Sequence, residues 1–206
     1  MAGVIVHGFI LALGLILPLG VQNVFVFNQG AVQPKLVRAL PVIITAALCD
    51  TLLITLAIMG VSVVVFQYDW LRVTMILLGI GFLIYMGLAT WKSRPRKQEE
   101  NSPRSLSPKK QIAFAMSVSL LNPHALLDTV GVIGTSSLQY AGGEKAAFAA
   151  VCIAVSWLWF MALGIGGKAV GSMDTSGRLL TVINRISAVI MWGTAAYLAY
   201  GLIAGS

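Results

Sequence analysis

The sequence predicts an all-α membrane protein: six transmembrane helices arranged as two inverted three-helix repeats, with helices one and four broken at Pro18 and Pro123. Three observations predict it. The 206 residues are 58% hydrophobic and 10% charged, where soluble domains run at about 45–50% and about 25%. The charges are segregated rather than scattered. Residues 1–34, 73–91, 146–167 and 186–206 carry none, 39–68 carry only Asp50, and 111–143 carry only Asp128. Each gap reaches the roughly 18 residues that mark a spanning helix. The third observation is a proline inside the first helix of each half.

The apolar runs place spans at 4–27, 40–66, 72–91, 111–138, 146–168 and 180–203, each long enough for ~30 Å of hydrocarbon at 1.5 Å per residue. The first run lacks a basic leader and a small-residue cleavage site, so it is read as helix one rather than a signal peptide. Residues 1–91 form the first repeat, 92–110 a basic cytoplasmic loop, and 111–206 the second repeat. That loop is rich in Pro, Ser and charge, leaving no room for a soluble catalytic domain. Cys49 and Cys152 fall inside spans, where a thiol behaves as a small hydrophobe, and no disulfide is expected.

Six spans put the loops after helices one, three and five on one side. Twelve basic residues lie there: Lys35 and Arg38, seven between Lys92 and Lys110, then Lys168, Arg178 and Arg185. Only Arg72 and Lys145 lie opposite. The positive-inside rule makes the richer side cytoplasmic and leaves both termini outside. A net charge of +7 held in short loops beside membrane helices matches anionic lipid headgroups rather than nucleic acid. Arg185 is close enough to the end of helix six to snorkel, which is preferred to a role as carboxylate clamp.

Because each half has three helices, the second enters the membrane inverted, as in inverted-repeat transporters. Aligning Pro18 with Pro123 also aligns Asn23 with Asp128. An interior proline removes a helical hydrogen bond and displaces the preceding residue. Freed backbone groups are tolerated in hydrocarbon only against protein or a watery cavity, so two breaks at matching positions, Pro18–Gly20 and Pro123, point to a shared central site. The alternative is a simple kink in each helix.

Polar residues follow both breaks. Asp50 lies 12 residues past Arg38, hence ~18 Å deep. Asp128 is 16 residues from Glu144 and 18 from Lys110. A membrane acid costs about 2.5–3.5 kcal/mol on insertion scales, so each needs a partner or a function. A protonated structural Asp is the alternative. A bound cation and a proton would compete for such carboxylate oxygens, the minimal chemistry of a proton-coupled antiporter. Gln22, Asn23, Asn28, Asn122 and His124 add neutral donors and acceptors suited to a zwitterion. Asn122 fits equally as a cap on a segment starting at Pro123, and His124 either gates protons or bonds a carbonyl. The exposed ends of broken helices offer N–H groups and a positive dipole to a carboxylate. Glycines such as Gly79, Gly81, Gly87, Gly164, Gly166 and Gly167 match helix packing better than a nucleotide loop, so no cofactor is expected. With no paired nucleophile and base, the chain is not read as an enzyme.

At these residues the sequence resembles a known family. LPLGVQNVFVFNQG at 17–30, CDTLLI at 49–54 and LLNPHALLDT at 120–129 are similar, in order and spacing, to the signatures of the lysine exporter (LysE) family, nearest its arginine/lysine exporter branch. The resemblance covers essentially the whole chain. It implies bacterial inner-membrane export of basic amino acids, L-arginine and L-lysine, driven by the proton gradient. It implicates Pro18, Gly20, Gln22, Asn23, Asp50, Asn122, Pro123 and Asp128. Val21 stands where the family usually has a second proline. Alternatives are export of neutral amino acids, with the acids serving protons alone, and transport of a divalent metal cation by Asp50, Asp128, His124 and Cys49. No recognised metal-site spacing supports the last, and no resident metal is expected. Exposed small-residue faces would allow a homodimer without requiring one.

Overall fold

In the computed structural model the described residues are 1–17, 20–60, 106–120, 128–173 and 178–204, with scattered positions between 73 and 91. Among them every regular element is helical. The chain runs through α1 (Ala2–Ile16), α2 (Val21–Val32), a 3₁₀ turn (Leu36–Ala39), α3 (Leu40–Ile58), α4 (Pro108–Leu120), a π-helical segment (Asp128–Gly134), a 3₁₀ turn (Ser137–Gln139), α5 (Gly142–Met173) and α6 (Arg178–Ala204). Two stretches of the described residues are long and apolar enough to cross a bilayer, Leu36–Ile58 and Gly142–Met173, and a third if α1 and α2 count as one bent span.

Several expected boundaries move. The run 4–27 is two helices, α1 and α2, whose axes turn by 77°; Pro18 sits in the gap and lies outside the described residues. The expected span 40–66 has its helix end at Ile58, because Gly60 adopts a left-handed φ of 77° and its N–H bonds the Ala57 carbonyl. Residues 61–66 lie outside the described set. Helix four begins at Pro108 instead of residue 111, so Lys109 and Lys110 are helical rather than part of the loop. Proline suits a first helical position, and the Ser107 carbonyl accepts the first bond from the Gln111 N–H at 2.9 Å. Helix five is longer than 146–168. Its 32 residues span ~48 Å, more than the hydrocarbon requires. Glu144, Lys145 and Lys168, read as marking loops, all lie within it.

This long helix organises the molecule, packing against α1, α2 and α3. Its seam with α2 is a backbone contact. A Cβ placed on Gly30 would strike the Gly164 carbonyl, one on Gly167 the Phe27 carbonyl, and one on Gly171 the Ala31 carbonyl. Glycine at these points lets two helices approach without side chains between them. Around the seam, Phe25, Val26, Val42, Ile43, Ala46 and Phe160 form one apolar core. A second core, with Val4, Ala12, Ile54, Ile133, Phe148 and Cys152, joins α1, α3, the π-helical segment and α5. His7 shares a 2.6 Å hydrogen bond with the Tyr140 hydroxyl beside the Phe148 ring. Arg185 holds its guanidinium 5.6 Å from the centre of the Trp91 ring, so the described contact is to an aromatic face.

At one end of α2 and α5, buried polar groups tie four elements together. Gln33 Nε2 and Gln111 Nε2 both donate to the Leu106 carbonyl, at 3.1 and 2.8 Å, and Gln111 Nε2 also reaches the Arg38 carbonyl at 3.0 Å. Lys168 Nζ donates to the Gln33 carbonyl at 3.0 Å, placing a cation at the C-terminal end of α2. Gln111 is wholly buried. Gln111→Ala is therefore expected to lower stability in detergent by about 1–3 kcal/mol, the cost of stranding buried carbonyls. Ser117→Ala, which removes only a bond to its own helix at Ala113, should leave the melting curve unchanged.

Candidate functional site: a carboxylate between three helices

Gly20, extended at φ −74° and ψ 171°, precedes α2 and contributes no side-chain cap. The first intrahelical bond runs from the Val24 N–H to the Gly20 carbonyl at 3.1 Å. The N–H groups of the first turn thus have no partner within the helix. Here the chain carries Val21, Gln22 and Asn23, all buried. Asn23 Nδ2 donates to the Ile16 carbonyl at 2.6 Å, satisfying the end of α1 across the bend.

Gln22 points the other way, towards α3. Its Nε2 donates to Asp50 Oδ1 at 3.1 Å, and from α5 the Ser156 hydroxyl donates to Asp50 Oδ2 at 3.0 Å. Both donors are neutral, and each carboxylate oxygen is engaged from a different helix. One residue along, Trp157 Nε1 donates to Thr51 Oγ1 at 3.1 Å, fastening the same level of α5 to α3. Asp50 as a whole residue is partly buried, its carboxylate held by these two donors. An ionised carboxylate has about four acceptor positions, and these two bonds occupy one on each oxygen.

Of the residues singled out from the sequence, Gln22 and Asp50 are brought into contact, with Asn23 beside them on α2. Asp128 opens the π-helical segment, which packs along α3. Pro18, Asn122, Pro123 and His124 lie outside the described residues. Cys49 is buried next to Asp50 along α3, and both cysteines are free. Among the described residues no three His, Cys, Asp or Glu side chains gather as for a metal ion. Sequence reasoning missed Ser156 and Thr51. A signal existed for the first: Ser156 is the sole hydroxyl in the uncharged run 146–167.

Long apolar helices around a hydrogen-bonded carboxylate mark a helical membrane protein. The chain belongs to the LysE family, described as LysE type translocator, whose pattern matches residues 13–202; it is a translocator and not an enzyme. Among its relatives, the Bacillus subtilis (strain 168) protein named "Putative amino-acid transporter YisU" is 56% identical over 198 residues, covering 96% of this chain and 90% of the relative. The "Arginine exporter protein ArgO" of Pectobacterium carotovorum subsp. carotovorum (strain PC1) is 34% identical, covering 97% of this chain and 98% of the relative. "Putative amino-acid transporter YggA" of Aeromonas salmonicida is 32% identical, with 97% of each chain covered. No solved structure matches the chain.

Proposed function

We propose that this protein exports basic amino acids, L-arginine and L-lysine, across the bacterial inner membrane by proton-coupled antiport. The observation that carries this reading is Asp50, an acid inside an apolar span, engaged by Gln22 and Ser156 from the helices on either side. A buried acid is a natural counter-charge for a cationic side chain, and the nearby N-terminal end of α2 presents a positive dipole to an α-carboxylate. Relatives named arginine exporters, 34% identical over nearly the full length, support arginine as a substrate.

Substrate and proton would compete for the Asp50 oxygens: H⁺ taken up from outside releases the cation there, and loss of H⁺ to the cytoplasm readies the acid for the next one. Asp128, aligned with Asn23 across the two halves, is the second acid of this cycle, with Asn23, Asn122 and His124 contributing polar contacts. The architecture that goes with this reading is six spans in two inverted three-helix repeats, with breaks at Pro18 and Pro123. Both termini face outside, and the basic 92–110 loop faces cytoplasmic lipid headgroups. A homodimer is compatible with it.

Counterflow tests the proposal. Proteoliposomes are loaded with unlabelled arginine, lysine, a neutral amino acid or Cd²⁺, and a labelled tracer of each is added outside. Trans-stimulated uptake confined to arginine and lysine is the expected result, and an inward proton gradient should accelerate efflux of either. Counterflow of the neutral substrate or the metal alone would overturn the basic-amino-acid reading.

A further inference from the structure

We infer that Ser156 is a specificity-determining residue that makes the Asp50 carboxylate selective for a guanidinium over an ammonium group; this rests on the proposed function. The starting point is the direction of the Ser156 hydroxyl. Thr45, Thr51, Thr55 and Ser117 each donate to the carbonyl four residues earlier in their own helix, at 2.7 to 2.9 Å. Such back-bonding is the default for a hydroxyl within a helix. Ser156, only 2% exposed, instead directs its proton across the helix interface to Asp50 Oδ2 at 3.0 Å.

The consequence is geometric. An aspartate carboxylate turns easily about its last bond, where the torsional preference is broad. With Gln22 holding Oδ1 from α2 and Ser156 holding Oδ2 from α5, the plane of the Asp50 carboxylate is set from both sides. The α5 donor is itself anchored, since Trp157 bonds Thr51 and the glycine seam fixes α5 against α2. One acceptor position remains on each oxygen, which is what a guanidinium needs to make two parallel N–H bonds. An ammonium is a compact point charge with rotatable donors, and its attraction to the carboxylate depends little on how that plane is turned. Ser156 therefore contributes to binding of arginine-like substrates and contributes little for lysine.

The test compares arginine and lysine counterflow in proteoliposomes for the wild type, Ser156→Ala and Ser156→Thr. Ser156→Ala is expected to raise KM for arginine about tenfold, the worth of one orienting charge-assisted bond, while lysine stays within about threefold. Ser156→Thr, which keeps the hydroxyl, should restore the arginine preference. Equal losses for both substrates, or no change in either, in a Ser156→Ala protein that melts like the wild type would overturn the inference while leaving the basic-amino-acid function standing. Wild-type protein that carries neither substrate would overturn the proposed function itself.

Discussion

Asp50→Asn is expected to leave a folded protein that no longer carries basic amino acids. The substitution is isosteric, and the hydrogen bonds around it can be remade. Gln22 Nε2 still finds the amide oxygen, and the Ser156 hydroxyl turns to accept from the new NH₂ group instead of donating. Neither neighbour is stranded, so the melting temperature in detergent should be close to that of the wild type. What disappears is the negative charge. Removing one partner of a buried, hydrogen-bonded charge pair typically costs about 2–5 kcal/mol of binding, so counterflow of arginine and lysine should fall at least about 30-fold. An Asp50→Asn protein that transports lysine at the wild-type rate would remove Asp50 from the substrate site. A protein that fails to fold would make the acid structural.

The second large effect concerns the seam between α2 and α5. Gly167→Leu is expected to abolish the folded protein in detergent, because even the first atom of a side chain at 167 would occupy the place of the Phe27 carbonyl. That neighbour is backbone, so no rotamer change makes room, and the two helices would have to separate. Separation would also pull Lys168 from the Gln33 carbonyl. Overpacking of this kind costs typically about 1–3 kcal/mol and more where backbone must move. The control is the adjacent glycine. A Cβ on Gly166 meets only the edge of the Phe27 ring at 3.8 Å, an ordinary contact. Gly166→Ala should therefore elute as the wild type does in size-exclusion chromatography, whereas Gly167→Leu should aggregate. Equal behaviour of the two variants would show that the close approach does not hold the helices together.

Much of the site is legible in the sequence for a simple reason. A charge in an uncharged run cannot hide, so Asp50 stands out within 39–68, and the polar cluster at Gln22 and Asn23 stands out beside a proline. The sequence does not display the partner of the Asp50 carboxylate on α5. A lone serine in an apolar helix ordinarily satisfies itself against its own backbone, as Ser117 does. Helix ends were blurred for a related reason. In the sequence Glu144, Lys145 and Lys168 mark the edges of a span, yet hydrocarbon limits where charge may sit and not where a helix must stop. Lys168 in particular remains within α5 because the Gln33 carbonyl, at the end of another helix, accepts its proton.

Membrane class follows from the sequence alone, since the cost of placing a charge in hydrocarbon is levied residue by residue and leaves its mark in the order of the side chains. Which helix touches which was decided by tertiary structure. The bond from Ser156 to Asp50 joins residues 106 apart. It joins α5 to α3, where Gly164 leaves room for the Ile43 side chain, a matter of shape between helices that the apolar pattern along any one of them does not encode.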